Sequence, residues 1–152
     1  MRYLTNIVSF SEVPDEISLC IGITGCTIHC PDCNQKELWE DVGTELTWET
    51  LDKLIHDNEG ITCVCFMGGE LHDVRKLAIK VKELGLKTCW YTGYSKIPNN
   101  VEGLDYMKIG PYNKELGGLD SKDTNQRFYQ INKESFGYTM TNITHLFRRK
   151  TC

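Results

Sequence analysis

Hydrophobic residues in this chain come in short runs whose period changes along the sequence. Residues 2–9 and 15–23 are rich in Tyr, Ile, Val and Leu around the turn signal Pro14-Asp15, which predicts two short, tightly joined strands. Trp48, Leu51, Leu54 and Ile55 then fall on one helical face, with Thr47 as N-cap, Glu49 in the first turn and an end near Asn58-Glu59-Gly60. Ile61 to Phe66 is a continuous, partly β-branched apolar run between Gly60 and Gly68-Gly69, the pattern of a buried strand. Between His72 and Leu84 the spacing returns to helical at Val74, Leu77, Ala78, Val81 and Leu84, with Gly85 where a left-handed residue ends a helix.

Leu86–Thr92 and Leu104–Ile109 read as two more strands, each stopped by a glycine-containing segment. Strands alternating with helices imply parallel crossovers, although residues 93–103 are too short and turn-like for a helix. Tyr112 to Asp123 has no periodicity and reads as a long surface loop. Arg127–Ile131 and Phe136–Met140 alternate across Asn132-Lys133-Glu134-Ser135, predicting a C-terminal hairpin within residues 125–141. A closed eight-fold barrel needs about 250 residues. The expected fold is therefore α/β, an open partial (β/α) barrel with a mainly parallel central sheet and a C-terminal β-hairpin.

Composition narrows the function classes. A chain of 152 residues with 40% apolar content is expected to form one domain over residues 1–152. Its formal net charge of -4 gives no general affinity for nucleic acid or anionic membranes, and Arg148-Arg149-Lys150 reads as a solvated tail. No secretory signal or apolar run of membrane-spanning length is legible, so a cytoplasmic protein is expected. In a reducing compartment the eight cysteines point to metals or catalysis rather than disulfides. Cys63 and Cys65, two apart in a strand, and Cys20 and Cys89 are expected as core thiols, with Cys152 exposed at the terminus. His56 and His145 read as surface or capping residues, and Trp48 and Trp90 as core anchors.

The chemistry concentrates in residues 24–34, where Gly25-Cys26-Thr27-Ile28-His29-Cys30-Pro31-Asp32-Cys33 brings three sulfurs into one tight loop. Four thiolates normally close a [4Fe–4S] site; three leave one iron open to a non-protein ligand. His29 offers the alternative of completing a zinc site with the same thiols. Met67-Gly68-Gly69-Glu70 ends a predicted parallel strand, where open α/β folds place ligands, and its glycines permit close backbone approach beside a carboxylate.

Cysteines spaced by three and then two residues after a strand resemble the signature of the radical S-adenosylmethionine (SAM) superfamily. Gly68-Gly69-Glu70 looks like that superfamily's Gly-Gly-Glu motif, with Leu71 where a proline is usual. The resemblance implies a [4Fe–4S] cluster held by Cys26, Cys30 and Cys33, whose fourth iron binds SAM, with Gly68, Gly69 and Glu70 beside the methionyl group. Trp39, Tyr91-Thr92-Gly93-Tyr94, Asp105-Tyr106-Met107, Gly110-Pro111-Tyr112 and Asn125-Gln126-Arg127 further resemble anaerobic ribonucleoside-triphosphate reductase activating proteins, over residues 15–130. That family implies a glycyl-radical activase whose substrate is the large reductase subunit. It also implies an external low-potential electron donor such as flavodoxin or ferredoxin, because no second cysteine cluster is present. By family position Thr92 would lie near the methionyl or ribose part of SAM, and Asp105 or Lys108 near its polar atoms. Asn125-Gln126-Arg127 would either position the glycine loop or SAM, or simply lead into the hairpin. The aromatic residue that usually follows the third cysteine, beside adenine, is Asn34 here. Two rival functions remain: a small-molecule radical SAM enzyme of the deazapurine-synthesis type, and a non-catalytic zinc or iron–sulfur binding module.

Overall fold

The computed structural model describes residues 1–148; the expectations for Arg149, Lys150 and Cys152 fall outside them. Strands β1 (Arg2–Ser9), β2 (Ser18–Ile23), β3 (Thr44–Glu45), β4 (Cys63–Met67), β5 (Lys87–Tyr91), β6 (Tyr106–Ile109), β7 (Arg127–Glu134) and β8 (Gly137–Asn142) form one sheet. Their order is β3-β1-β2-β4-β5-β6-β7-β8. Helix α1 spans Trp48–His56 and α2 Arg75–Glu83, with 3-10 turns at Lys36–Leu38 and Thr144–Arg148. Among the described residues no helix is long and apolar enough to cross a membrane.

The expected open partial (β/α) barrel with a mainly parallel sheet is overturned. Among the described residues four of the seven strand pairings are antiparallel, three are parallel, and the eight strands have only two α-helices between them. The physical reason is connection length. Residues 10–17 join β1 to β2 and residues 135–136 join β7 to β8, links shorter than the crossover of a dozen or more residues that a parallel neighbour needs, so each reverses the chain into an antiparallel pair. The segment from β5 to β6 carries no helix, so the helix layer that a barrel requires never forms. The result is an open mixed sheet.

The parallel pairings lie between β2, β4, β5 and β6, and β2 is buried at all six positions. Strands covered on both faces read as continuous apolar runs, as in Cys63–Met67. Alternation divides their side chains. Ile21, Val64, Phe66 and Trp90 pack under α1 and α2 with Leu51, Ile55, Leu77 and Val81. Cys20, Cys63, Cys65 and Cys89 face the other way, against Val13, Tyr106, Leu119 and Phe128. All four thiols are core residues, at most 2% exposed.

Local signals place the helices. The Thr47 hydroxyl accepts the Thr50 N–H at 3.2 Å, capping α1. Helix α2 starts later than the hydrophobic period suggests, because residues 69–73 turn first and Asp73 pairs with Arg75 at 2.8 Å. Glu16, before β2, accepts hydrogen bonds from Thr62 at 2.6 Å and Tyr106 at 2.9 Å and pairs with Lys87 at 2.9 Å. One buried carboxylate thus ties the start of β2 to β5 and β6.

Candidate functional site

The carboxyl ends of β2, β4 and β5, together with β6, converge on a cavity of ≈ 170 Å³. After β2 the chain makes a closed excursion. The Thr24 hydroxyl donates to the Val42 carbonyl at 2.8 Å, and the Cys26 N–H donates to the Leu38 carbonyl at 3.0 Å. The Cys33 N–H donates to the Cys30 carbonyl at 3.0 Å, and His29, just before Cys30, takes a left-handed φ of 50°. These bonds present Cys26, Cys30 and Cys33 on one wall of the cavity, each half-buried.

Two of the sulfurs already accept backbone hydrogen bonds. The Tyr112 N–H donates to Cys30 Sγ and the Gln35 N–H to Cys33 Sγ, each at 3.3 Å. Burial pushes the Cys26 thiol above its ordinary value, against the Ile28 and His29 N–H groups that favour its thiolate. Among the described residues no three Cys, His, Asp or Glu side chains converge as they would on a single metal ion.

The facing wall comes from the ends of β4 and β5. Gly68 has a φ of +87°, and a Cβ there would stand 2.9 Å from the Ile23 carbonyl oxygen, so the bend over β2 requires glycine. Its carbonyl accepts the Trp90 indole N–H at 2.7 Å. Gly93 lets Ile28 of the cysteine loop close onto β5, since a Cβ would lie 2.7 Å from that side chain. Glu70, 8% exposed, accepts the Thr92 hydroxyl and the Gly93 N–H at Oε1, both at 3.1 Å. Its Oε2 is buried with no partner among the described residues. Lys108, 9% exposed, donates to the Gly110 carbonyl at 2.9 Å and the Thr92 carbonyl at 3.4 Å and has no carboxylate pair among the described residues. Burial pushes its ammonium down to about 8.

Cys26, Cys30, Cys33, Gly68, Glu70, Thr92 and Lys108 thus line one cavity. Gly69 and Asp105 do not. A Cβ on Gly69 would meet Ile23 and Val74 at 3.1 Å, so the bare position lets these side chains close together. Asp105 precedes β6, away from the cavity, where it accepts the Thr88 N–H at 2.9 Å and pairs with Lys82 at 2.5 Å. Asn125, Gln126 and Arg127 bond carbonyls of residues 110, 111, 124 and 126 and serve the lead into β7. His29 is exposed and stacks on Trp39 at 4.6 Å instead of joining the thiols at the cavity. Sequence reasoning missed Gln35 and the apolar wall of Ile23, Ile28 and Leu38. Gln35 acts through its backbone, which no side-chain pattern announces.

The residues present fit an iron–sulfur cluster. Three thiols share one wall, backbone N–H groups stabilise charge on two of them, and a buried ammonium that forms no direct ion pair among the described residues faces them across an apolar enclosure. A family model described as a 4Fe-4S single cluster domain matches residues 17–107, more than half of the chain and all three loop cysteines. No curated protein and no solved structure matches the chain.

Proposed function

This chain belongs to the family of 4Fe-4S single cluster domains, and from that premise we propose that it is a radical SAM activase for the large subunit of an anaerobic ribonucleoside-triphosphate reductase. Cys26, Cys30 and Cys33 would hold the cluster. When bound, a three-thiolate cubane supplies an iron with an open position and, once reduced, an electron that cleaves the sulfonium of SAM to methionine and a 5′-deoxyadenosyl radical. That radical would take a Cα hydrogen from one glycine of the partner.

A single observation carries this reading: the three thiols share their cavity with Glu70, whose Oε2 is buried without a partner among the described residues. An anionic acceptor with no donor suits a ligand that brings an ammonium group, as the methionyl end of SAM does. Thr92 and Gly93 hold the other oxygen of Glu70, so the carboxylate is oriented before the ligand arrives. Lys108 supplies a positive charge toward the thiolates and the ligand carboxylate. Ile23, Ile28, Leu38 and Met67 keep water from the reacting atoms. The zinc-module reading gains nothing from His29, whose ring stacks on Trp39.

Anaerobically reconstituted protein is expected to carry iron and sulfide for one [4Fe–4S] cluster per chain. Reduced with SAM, it is expected to release 5′-deoxyadenosine, and Cys30→Ala to abolish that release. With the reductase subunit added, a glycyl doublet is expected by electron paramagnetic resonance. Deoxyadenosine without a doublet would turn the assignment toward a small-molecule substrate, and stoichiometric zinc without iron absorbance would end it.

A further inference from the structure

Three buried side-chain polar atoms lack a partner among the described residues: Ser18 Oγ, Trp39 Nε1 and Glu70 Oε2. Two of the three belong to residues lining the cavity. Glu70 is an acceptor awaiting a donor. Trp39 is the converse, a donor with nothing to receive it.

The two groups found against the Trp39 indole, among the described residues, cannot accept its N–H. Its ring lies nearly parallel to His29, with centroids 4.6 Å apart and planes inclined by 19°. An indole N–H lies in the ring plane, so a group stacked on the face cannot accept it. The Lys36 ammonium stands 5.6 Å from the ring centroid and has only donors to offer. The turn before Trp39 sets the ring's position, through the Trp39 N–H donating to the Lys36 carbonyl at 3.1 Å and the Cys26 N–H donating to the Leu38 carbonyl at 3.0 Å. The ring is thereby built into the same closed excursion that carries the three cysteines.

We propose that the Trp39 indole N–H is a donor to the sulfur of the cluster held by Cys26, Cys30 and Cys33, and that it raises the cluster's reduction potential. The inference rests on the cluster reading above. Sulfide and thiolate sulfur accept hydrogen bonds, and such donors tune cluster potential. The N–H dipole stabilises the additional negative charge of the reduced state more than the oxidised one, which favours reduction. Trp39 would add a side-chain donor to the backbone N–H groups of Gln35 and Tyr112. It is a positioning and potential-setting residue, not a catalytic one.

The test compares reconstituted wild type with Trp39→Phe, which keeps an aromatic ring and loses the N–H. Iron content and absorbance first establish loading, and a redox titration monitored by electron paramagnetic resonance then gives the midpoint without SAM present. A lower midpoint in Trp39→Phe is expected. Wild type labelled with 15N in its indole rings is expected to show a hyperfine coupling between an indole nitrogen and the reduced cluster. That second measurement stands even where the variant fails to load. An unchanged midpoint, or no indole coupling in loaded wild type, overturns the proposal. So does weaker binding of S-adenosylhomocysteine by Trp39→Phe at an unchanged midpoint, which would assign the N–H to the adenosyl ligand. Failure of wild type itself to load a cluster overturns the underlying reading as well, and is distinguishable from the other outcomes.

Discussion

Glu70 divides its two oxygens between two tasks, one bound to Thr92 and Gly93 and the other buried without a partner. Glu70→Gln keeps a carbonyl for the first task and replaces the charged acceptor of the second. Charge-assisted hydrogen bonds contribute about 1.5–3 kcal/mol. Affinity for S-adenosylhomocysteine is therefore expected to fall roughly 10- to 100-fold by calorimetry, with the fold unchanged. Lys108 makes a different prediction, because a desolvated cation with no direct ion pair among the described residues costs the empty protein stability. Lys108→Met is expected to leave thermal unfolding of the cluster-free protein unchanged or higher, and to lower that of the loaded protein. Equal losses in both forms would remove Lys108 from the site.

At the scale of elements, the helices answer to local chemistry and the strands to their neighbours. Thr47→Ala removes the cap of α1 and is expected to cost about 1 kcal/mol in denaturant unfolding. Glu16 joins three elements and gives the fold an acid-sensitive tie. Burial alone would raise its carboxyl, but hydrogen bonds from Thr62, Lys87 and Tyr106 outweigh burial and hold it below its ordinary value of 4.5. A depressed carboxylate contributes stability above its unfolded value, and that contribution is lost as pH falls through the folded one. Glu16→Gln is thus expected to be less stable than wild type at neutral pH, by about 1–3 kcal/mol, with the gap closing as the pH falls below the ordinary carboxyl value of 4.5. Both helices were legible because amphipathic spacing and Thr47 act within a few residues. The two-residue strand β3 was not, since Thr44 and Glu45 are exposed and owe their pairing to Arg2 and Tyr3, far away in sequence.

For the whole molecule, the two apolar clusters on opposite sheet faces form from protein side chains alone. Removing iron by anaerobic chelation is therefore expected to lower the melting temperature by mass action while leaving the far-ultraviolet circular dichroism in place. Collapse of the spectrum would show that the cluster also holds the sheet. The sequence by itself determined the close-spaced cysteines, the strands at 61–66 and 86–92, and the Gly-Gly-Glu end of β4, because spacing, period and turn chemistry are short-range properties. It also placed Cys20, Cys63, Cys65 and Cys89 in the core, since residues two apart on a strand share a face. Tertiary structure decided the rest. An open mixed sheet arose instead of a partial barrel because strand direction depends on what each connection can span, and periodicity carries no record of direction. Likewise, the union of thiols, Glu70 and Lys108 at one cavity, and the removal of Asp105 from it, follow from which strand ends meet in space. The cysteine loop on which the function rests was visible from spacing; the unpartnered Glu70 oxygen and Trp39 N–H beside it were not, because being without a partner is a property of neighbours that only folding supplies.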